Sequence, residues 1–148
     1  MNLANLNLVA AANAGFTVII LHPVDRTPLK GDDGQPLEIQ LLGRDADVVV
    51  ARQREQRNKL VEEAGKKIPF SAAAQDLRDA ELLATATIGW SNIPKAWLTP
   101  GGDDETPAEF SEGAAVQLYT NPGVTWLREQ VVEAFDARGN VLKTSRKA

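Results

Sequence analysis

The sequence predicts an α+β fold: a mostly helical single domain, with an N-terminal antiparallel β-hairpin packed on a bundle of about four helices. Three observations predict it. Two short runs, Phe16 to Leu21 and Leu37 to Leu42, carry β-branched or alternating apolar residues, which suit a pleated, half-buried surface. Several longer stretches after them repeat apolar residues at helical spacing behind recognisable start signals. The chain has 148 residues, 43% hydrophobic and 24% charged, enough for one domain with a real core.

The elements follow in order. Leu3, Leu6, Val9 and Ala10 sit at helical spacing, so a short helix ending near Gly15 is expected; its competitor is a loose arm docked by its leucines. FTVIIL at 16–21 is a strand edged by His22-Pro23, and Pro28, Gly31, Gly34 and Pro36 mark a loop. In LEIQLL, Leu37, Ile39 and Leu41 point inward and Glu38 and Gln40 outward, so the two strands read as a hairpin with a long loop. An isolated hairpin is marginal in water and should lie on helices. These parts make up the N-terminal unit, 1–45.

Two helices fill 46–90. The first is capped by Asp45, has Asp47 in its first turn, and runs to about Ala64 with Gly65 past its end. Its middle is nearly all polar, and Leu60 and Val61 return it to the core. Glu55–Lys59 and Glu63–Lys67 stand at the i, i+4 spacing that favours ion pairs. Ser71 caps the second, from about Ala72 to Ile88, along which Ala73, Leu77, Ala80, Ala84 and Ile88 recur with Leu83 beside them; Gly89 ends it and Trp90 follows. Residues 91–109 form a long loop rich in Pro and Gly, with the acidic run Asp103-Asp104-Glu105. A C-terminal helix pair fills 110–142. Ser111 caps its first member, and Asn121 and Pro122 start the second, whose stripe is Val124, Leu127, Val131, Ala134 and Phe135. Residues 143–148 read as a flexible basic tail.

Composition narrows the function. The net charge is −4 and the pI about 5.0, which argues against a nucleic-acid binder. There is no cysteine, hence no disulfide, thiolate metal site or cysteine nucleophile. No basic n-region precedes the early apolar residues, and no apolar run approaches the roughly 20 residues of a membrane helix. His22 is the single histidine, and a lone histidine beside a strand-ending proline reads as structural. Asp32-Asp33 and 103–105 lack the alternating ligands, central Gly and terminal Glu of a calcium loop, and read as solvated loops. No phosphate loop, dinucleotide fingerprint, nucleophile elbow or H-E-x-x-H occurs. The expectation is a non-enzyme without catalytic residues, cofactor or metal. Trp90, Trp97 and Trp126 read as core or interface anchors.

One family carries a likeness in the order of its motifs. Gly89-Trp90 precedes Phe110-Ser111, which opens a short helix with Ala114, Ala115 and Leu118. Pro122 with Trp126-Leu127-Arg128-Glu129-Gln130-Val131 comes next, then Asn140 and Leu142. Upstream stand His22-Pro23-Val24 after a strand, and Leu42-Gly43-Arg44-Asp45-Ala46-Asp47 leading into an Arg/Gln-rich helix. In these positions the chain resembles tail assembly chaperones of long-tailed, siphovirus-like bacteriophages. The resemblance implies a non-enzymatic protein of the infected host cell's cytoplasm, absent from the mature virion. It would bind and solubilise the tape measure protein, help recruit tail tube (major tail) subunits, and associate with neither nucleic acid nor membrane; self-association is a further possible partner relation. Such proteins are often also made in a longer, frameshifted form. The expected contact surface is Trp97, Leu98, Val141 and Leu142, the apolar residues least accounted for by the core stripes. Two other classes stay open: a structural minor tail or connector protein of the virion, and a small regulatory nucleic-acid-binding protein.

Overall fold

The computed structural model describes residues 3–69 and 71–146, with the backbone alone at 4, 5 and 143–146. A 3₁₀ turn, Leu3–Leu6, leads into α1 (Leu8–Ala14), β1 (Phe16–Ile19) and β2 (Glu38–Leu41). Then come α2 (Asp47–Gly65), α3 (Ala72–Ala86) and β3 (Thr87–Ser91). After a 3₁₀ turn at Lys95–Leu98 follow α4 (Glu112–Thr120), a 3₁₀ turn at Pro122–Val124, α5 (Thr125–Asp136) and α6 (Gly139–Arg146). The fold is α+β, about 55% helical with one three-stranded antiparallel sheet.

The N-terminal helix starts later than its leucines suggest. The Asn7 side chain accepts from the Ala10 N–H and caps α1, so Leu3 and Leu6 fall in the 3₁₀ turn before it. Leu3 is 70% exposed, Leu6 and Val9 are exposed, and the face turned inward is Ala11 and Ala12. The spacing from Leu3 to Val9 spans a break in the helix and has no single face. Gly15 ends α1 at φ +81, and a Cβ there would stand 2.7 Å from the Leu41 carbonyl oxygen; glycine alone lets the chain pass this close to β2.

β1 and β2 pair with Phe16 opposite Leu41 and Val18 opposite Ile39, so Phe16, Val18, Ile39 and Leu41 share the buried face. The loop between them folds back on itself. Leu29 N–H donates to the Ile20 carbonyl at 3.0 Å, and Leu37 N–H to the Leu29 carbonyl at 2.9 Å. On the outer edge, α5 supplies a substitute for a further strand: Gln130 accepts from Leu21 N–H at 2.9 Å and donates to the Leu21 carbonyl at 2.8 Å. One carboxamide thus satisfies both peptide groups that an edge would otherwise expose.

The expected hairpin is part of a larger sheet. β3 pairs with β2, Gln40 opposite Gly89 and Glu38 opposite Ser91. The helix expected to reach Ile88 stops at Ala86, and Thr87 turns extended while its N–H still bonds the Leu83 and Ala84 carbonyls. Thr87, Ile88 and Trp90 are β-branched or aromatic, and β2 offers a second edge; that pairing outweighs one more helical turn.

Asp45 does not cap α2. The N-cap residue is Ala46, without a side-chain bond. Asn13, at the far end of α1, takes the Asp47 N–H at 2.9 Å and donates to its carboxylate at 3.0 Å. Asp45 is instead gripped by Arg138 at 2.8 and 3.2 Å. This guanidinium holds its carboxyl below the usual value, and the carboxylate raises Arg138 in turn. At the other end Gly65 is the last helical residue, and the left-handed position is Lys67, φ +58.

The expected loop 91–109 is a folded hairpin-like excursion. Pro94 and Pro107 form a bridge, Lys95 N–H bonds the Thr106 carbonyl, Ala96 N–H that of Asp104, and Ala108 N–H that of Ile93. Ile93 is fully buried. Trp90 donates its indole N–H to the Ala108 carbonyl at 2.9 Å and meets Phe110 edge-on. Downstream, Ser111 accepts from Ala114 N–H and caps α4 as expected, whereas Asn121 accepts from Gly123 N–H and caps the 3₁₀ turn, so that α5 starts at Thr125 and not at Pro122. Val124, Leu127, Val131 and Phe135 are buried. The expected helix pair is extended by a third helix: α6 continues to Arg146 where a tail was expected from Lys143, and 147 and 148 lie outside the described residues. Gly43 admits α6 to the core, since a Cβ on it would lie 2.8 Å from both Ala12 Cβ and Val141 Cγ1.

The core draws on α1, the sheet, α3, α4, α5 and α6. From α2 it takes Val49 alone.

Candidate functional site

The α2–α3 hairpin departs from the rest of the molecule. From 50 to 79 no described residue is buried, and the buried residues of α3 begin at Ala80. This stretch is held by a polar seam. Arg52 reaches Glu81 at 2.9 Å, Gln56 donates its amide to the Arg78 carbonyl at 2.8 Å, and Arg78 meets Glu63 at 2.8 Å. The seam is not fully satisfied, because Arg52 Nε is buried without a hydrogen-bond partner among the described residues. Apolar residues meanwhile face solvent: Val61 is 69% exposed, Ile68 51% and Leu77 44%. Two packed helices normally bury their apolar positions against each other. Here the polar groups take the seam and the aliphatic groups the outside.

Two furrows flank the seam. One, of about 310 Å³, runs past Leu60, Ala64, Ile68, Pro69 and Ala74. The other, of about 230 Å³, lies along Lys59, Ala74, Leu77 and the Arg52–Glu81 pair. Small residues at 64 and 74 leave room for an incoming helix or strand. The expected pairs Glu55–Lys59 and Glu63–Lys67 do not form. Glu55 goes to Arg52, Glu62 to Lys66 and Glu63 to Arg78, because a cation on the facing helix or one turn away lies nearer. Val61, expected to return to the core, points away from it, and Leu77 and Ile88 leave the stripe expected of the second helix.

The residues expected to contact a partner have other duties. Val141 is 2% exposed, packed where α1 and α6 meet over Gly43. Leu142 is half-buried against the core. Trp97 and Leu98 are half-buried too. The Trp97 ring stands edge-on to Trp126, centroids 5.5 Å apart, and its carbonyl accepts from the Asn121 side chain at 2.8 Å. Trp97 and Val141 pack on different neighbours. The core stripes missed them because a folded loop and a short helix that follows the stripes are what bury them.

Other candidates resolve into local structure. His22 Nδ1 accepts from the N–H groups of Val24 and Asp25, holding the turn after β1. Asp33 accepts from Gln35 N–H and from Asn92, which is left-handed at φ +66. Asp104 takes both the hydroxyl and the N–H of Thr106, which lower its carboxyl below the usual range. A small cleft of about 160 Å³ beside Lys30, Asp32, Asn92, Trp97 and Glu105 lies between these turns. Among the described residues no three His, Asp or Glu side chains are grouped to hold a metal ion, and no helix is long and apolar enough to cross a membrane.

No protein-family model matches the chain, and neither the curated proteins nor the solved structures compared with it include a similar one. The site therefore rests on its geometry: a two-helix arm with a charged seam, aliphatic outer positions and two furrows. The signal that locates it in the sequence is α2 itself. A 19-residue helix whose middle, Arg52 to Lys59, offers no apolar stripe cannot pack as an ordinary core helix.

Proposed function

We propose that the chain is a tail assembly chaperone of a long-tailed bacteriophage. It binds and solubilises the tape measure protein in the host cell cytoplasm, helps recruit tail tube subunits, and leaves before the virion matures; it performs no chemistry. Two things support this reading: the ordered motifs from His22 to Leu142 that resemble such chaperones, and the α2–α3 arm. The arm is the observation that carries it. Aliphatic side chains held in water beside furrows suit transient cover of a client's apolar helices, whereas a site of chemistry needs converging polar groups. The client surface is thus assigned to Leu60, Val61, Ile68 and Leu77 in place of Trp97, Leu98, Val141 and Leu142.

The test is co-expression with the tape measure protein. The chain should keep that protein soluble and co-purify with it, and Val61→Ser/Leu77→Ser should lose both effects while its own unfolding curve is unchanged. A tape measure protein that stays insoluble beside the wild-type chain overturns the proposal. Recovery of the chain in purified virions would favour a minor tail or connector protein, and tight, salt-sensitive DNA binding a regulatory protein; either also counts against a chaperone.

A further inference from the structure

The contact face of the α2–α3 arm has the composition of a surface. On α2 the half-buried residues turned to α3 are Arg52, Gln56, Leu60 and Glu63, spaced i, i+4, i+8 and i+11. Across from them on α3 stand Ala74, Arg78 and Glu81, at i, i+4 and i+7. Both stripes have the period of a packed helix pair, yet Leu60 is the one large apolar side chain in them. Burial of aliphatic groups normally holds such a pair together. Here two ion pairs and one amide bond do so, Arg52–Glu81, Arg78–Glu63 and Gln56 to the Arg78 carbonyl. Partly solvated ion pairs add little net stability, and a helix of this length without tertiary packing is marginal in water. At the base of the arm the composition reverses. Val49 on α2 is buried, as are Ala80, Leu83, Ala84 and Ala86 on α3. The packing that holds the molecule therefore stops at two matching points, after Val49 and before Ala80.

We infer that the outer parts of α2 and α3, 50–65 and 72–79, are one separately opening unit: a hinged arm that parts along its polar seam while the sheet and the helices around it stay folded. The hinge lies where burial begins, beside Val49 and Ala80, and the Arg52–Glu81 pair is its lowest latch. Opening turns Leu60 and Ala74 to solvent and adds them to the already exposed Val61, Ile68 and Leu77. It depends on the seam alone, so it holds whether or not a client binds there.

Residue-resolved hydrogen exchange by NMR on the full chain tests this. Helix-interior amides of the arm, 56–64 and 76–79, should exchange about a hundredfold faster or more than those at 83–86 and 127–135. Raising the salt well above physiological strength should speed the arm amides and leave the others unchanged, because screening weakens the seam. Glu63→Gln/Arg78→Gln should speed both arm segments by one common factor of about two to five, the worth of one such pair, again without moving 127–135. Glu63→Leu/Arg78→Leu, which puts apolar contact in place of the pair, should slow both segments. Arm amides as slow as those of α5 overturn the inference, since the molecule then opens only as a whole. So does a substitution that moves one arm segment and not the other, or one that moves 127–135 by the same factor as the arm. Faster exchange in the leucine variant overturns it too, because the seam would then not be the weak joint. The chaperone reading is decided elsewhere: an arm that opens beside a tape measure protein that stays insoluble leaves this inference standing and removes that one.

Discussion

Replacing Thr87 should cost more stability than removing the hydroxyl of its larger partner, Tyr119. Tyr119 on α4 is fully buried, and its hydroxyl lies 2.7 Å from Thr87 Oγ1. Thr87 Oγ1 in turn lies 2.8 Å from the Leu83 carbonyl. A carbonyl can only accept, so the single Thr87 hydrogen goes to Leu83 and Tyr119 must donate to Thr87. Burial pushes the Tyr119 phenol well above its ordinary value, against the opposing pull of Thr87, so it stays a donor at every working pH. Thr87→Val removes two hydrogen bonds, the one donated to Leu83 and the one accepted from Tyr119, and so strands the phenol proton in the core. A lost bond costs about 0.5–1.5 kcal/mol and a stranded buried donor about 1–3, so the sum is about 2–4 kcal/mol. Leu83 is not stranded, because its carbonyl also accepts the Thr87 N–H. Tyr119→Phe removes donor and bond together and leaves Thr87 bonded to Leu83, at about 0.5–1.5 kcal/mol. In the double variant nothing is stranded. Its loss should fall short of the sum of the singles by about 0.5–3 kcal/mol, the range found for residues in one network. Urea unfolding followed by the fluorescence of Trp90, Trp97 and Trp126 measures all three variants at comparable m-values. Additive losses, or a Tyr119→Phe variant weaker than Thr87→Val, would refute the direction assigned to the chain of bonds.

Three further outcomes follow from particular contacts. Arg138→Gln should lower stability only slightly, since the Asp45 pair is largely solvated. Asp45 sits below its ordinary 3.8 when folded, so the pair's contribution is full above the unfolded value and lost as pH falls through the folded one. The gap between wild type and variant should thus be flat from neutral pH to about pH 5 and close in stronger acid; a gap that widens in acid refutes the assignment. Gly43→Ala puts a methyl 2.8 Å from Ala12 Cβ and Val141 Cγ1, and overpacking of this kind costs about 1–3 kcal/mol, visible as a lower urea midpoint. Trp97→Ser/Leu98→Ser should unfold the protein at lower denaturant and shift the fluorescence of Trp126, whose ring it undresses; intact stability with lost client binding would restore these residues to the contact surface.

Local rules were legible where a signal and its consequence lie within one turn. Ser71, Ser111 and Asn121 cap as their residue types require, and the alternation at 37–41 fixes the buried face of β2. Leu127, Val131 and Phe135 point inward because they repeat at the helical period within one unbroken helix, α5. Where the deciding partner is remote, local rules misled. Asn13 caps α2 in place of Asp45, which is free to pair with Arg138 ninety-three residues away. β3 exists because β2 has a second edge, which a reading of the segment 87–91 alone does not contain.

The candidate site shows the same division. From its residues alone the chain settles its class: α+β, acidic overall, with no cysteine, no recognisable catalytic motif, and a long helix with a polar middle. Those properties depend on composition and on spacing within single elements. Only the tertiary structure decides which apolar residues stay in water. Leu77 lies on a helical segment as plausible for a core as any other, and it is exposed because Arg52, Gln56, Glu63 and Arg78 claim the space between α2 and α3, whereas Val61 sits on the face of α2 turned away from that seam. Trp97 and Val141 are withdrawn from solvent because a folded loop and α6 arrive from elsewhere in the chain to cover the core beside them. Burial is a property of what packs against a residue, and for Leu77, Trp97 and Val141 that neighbour is distant in sequence.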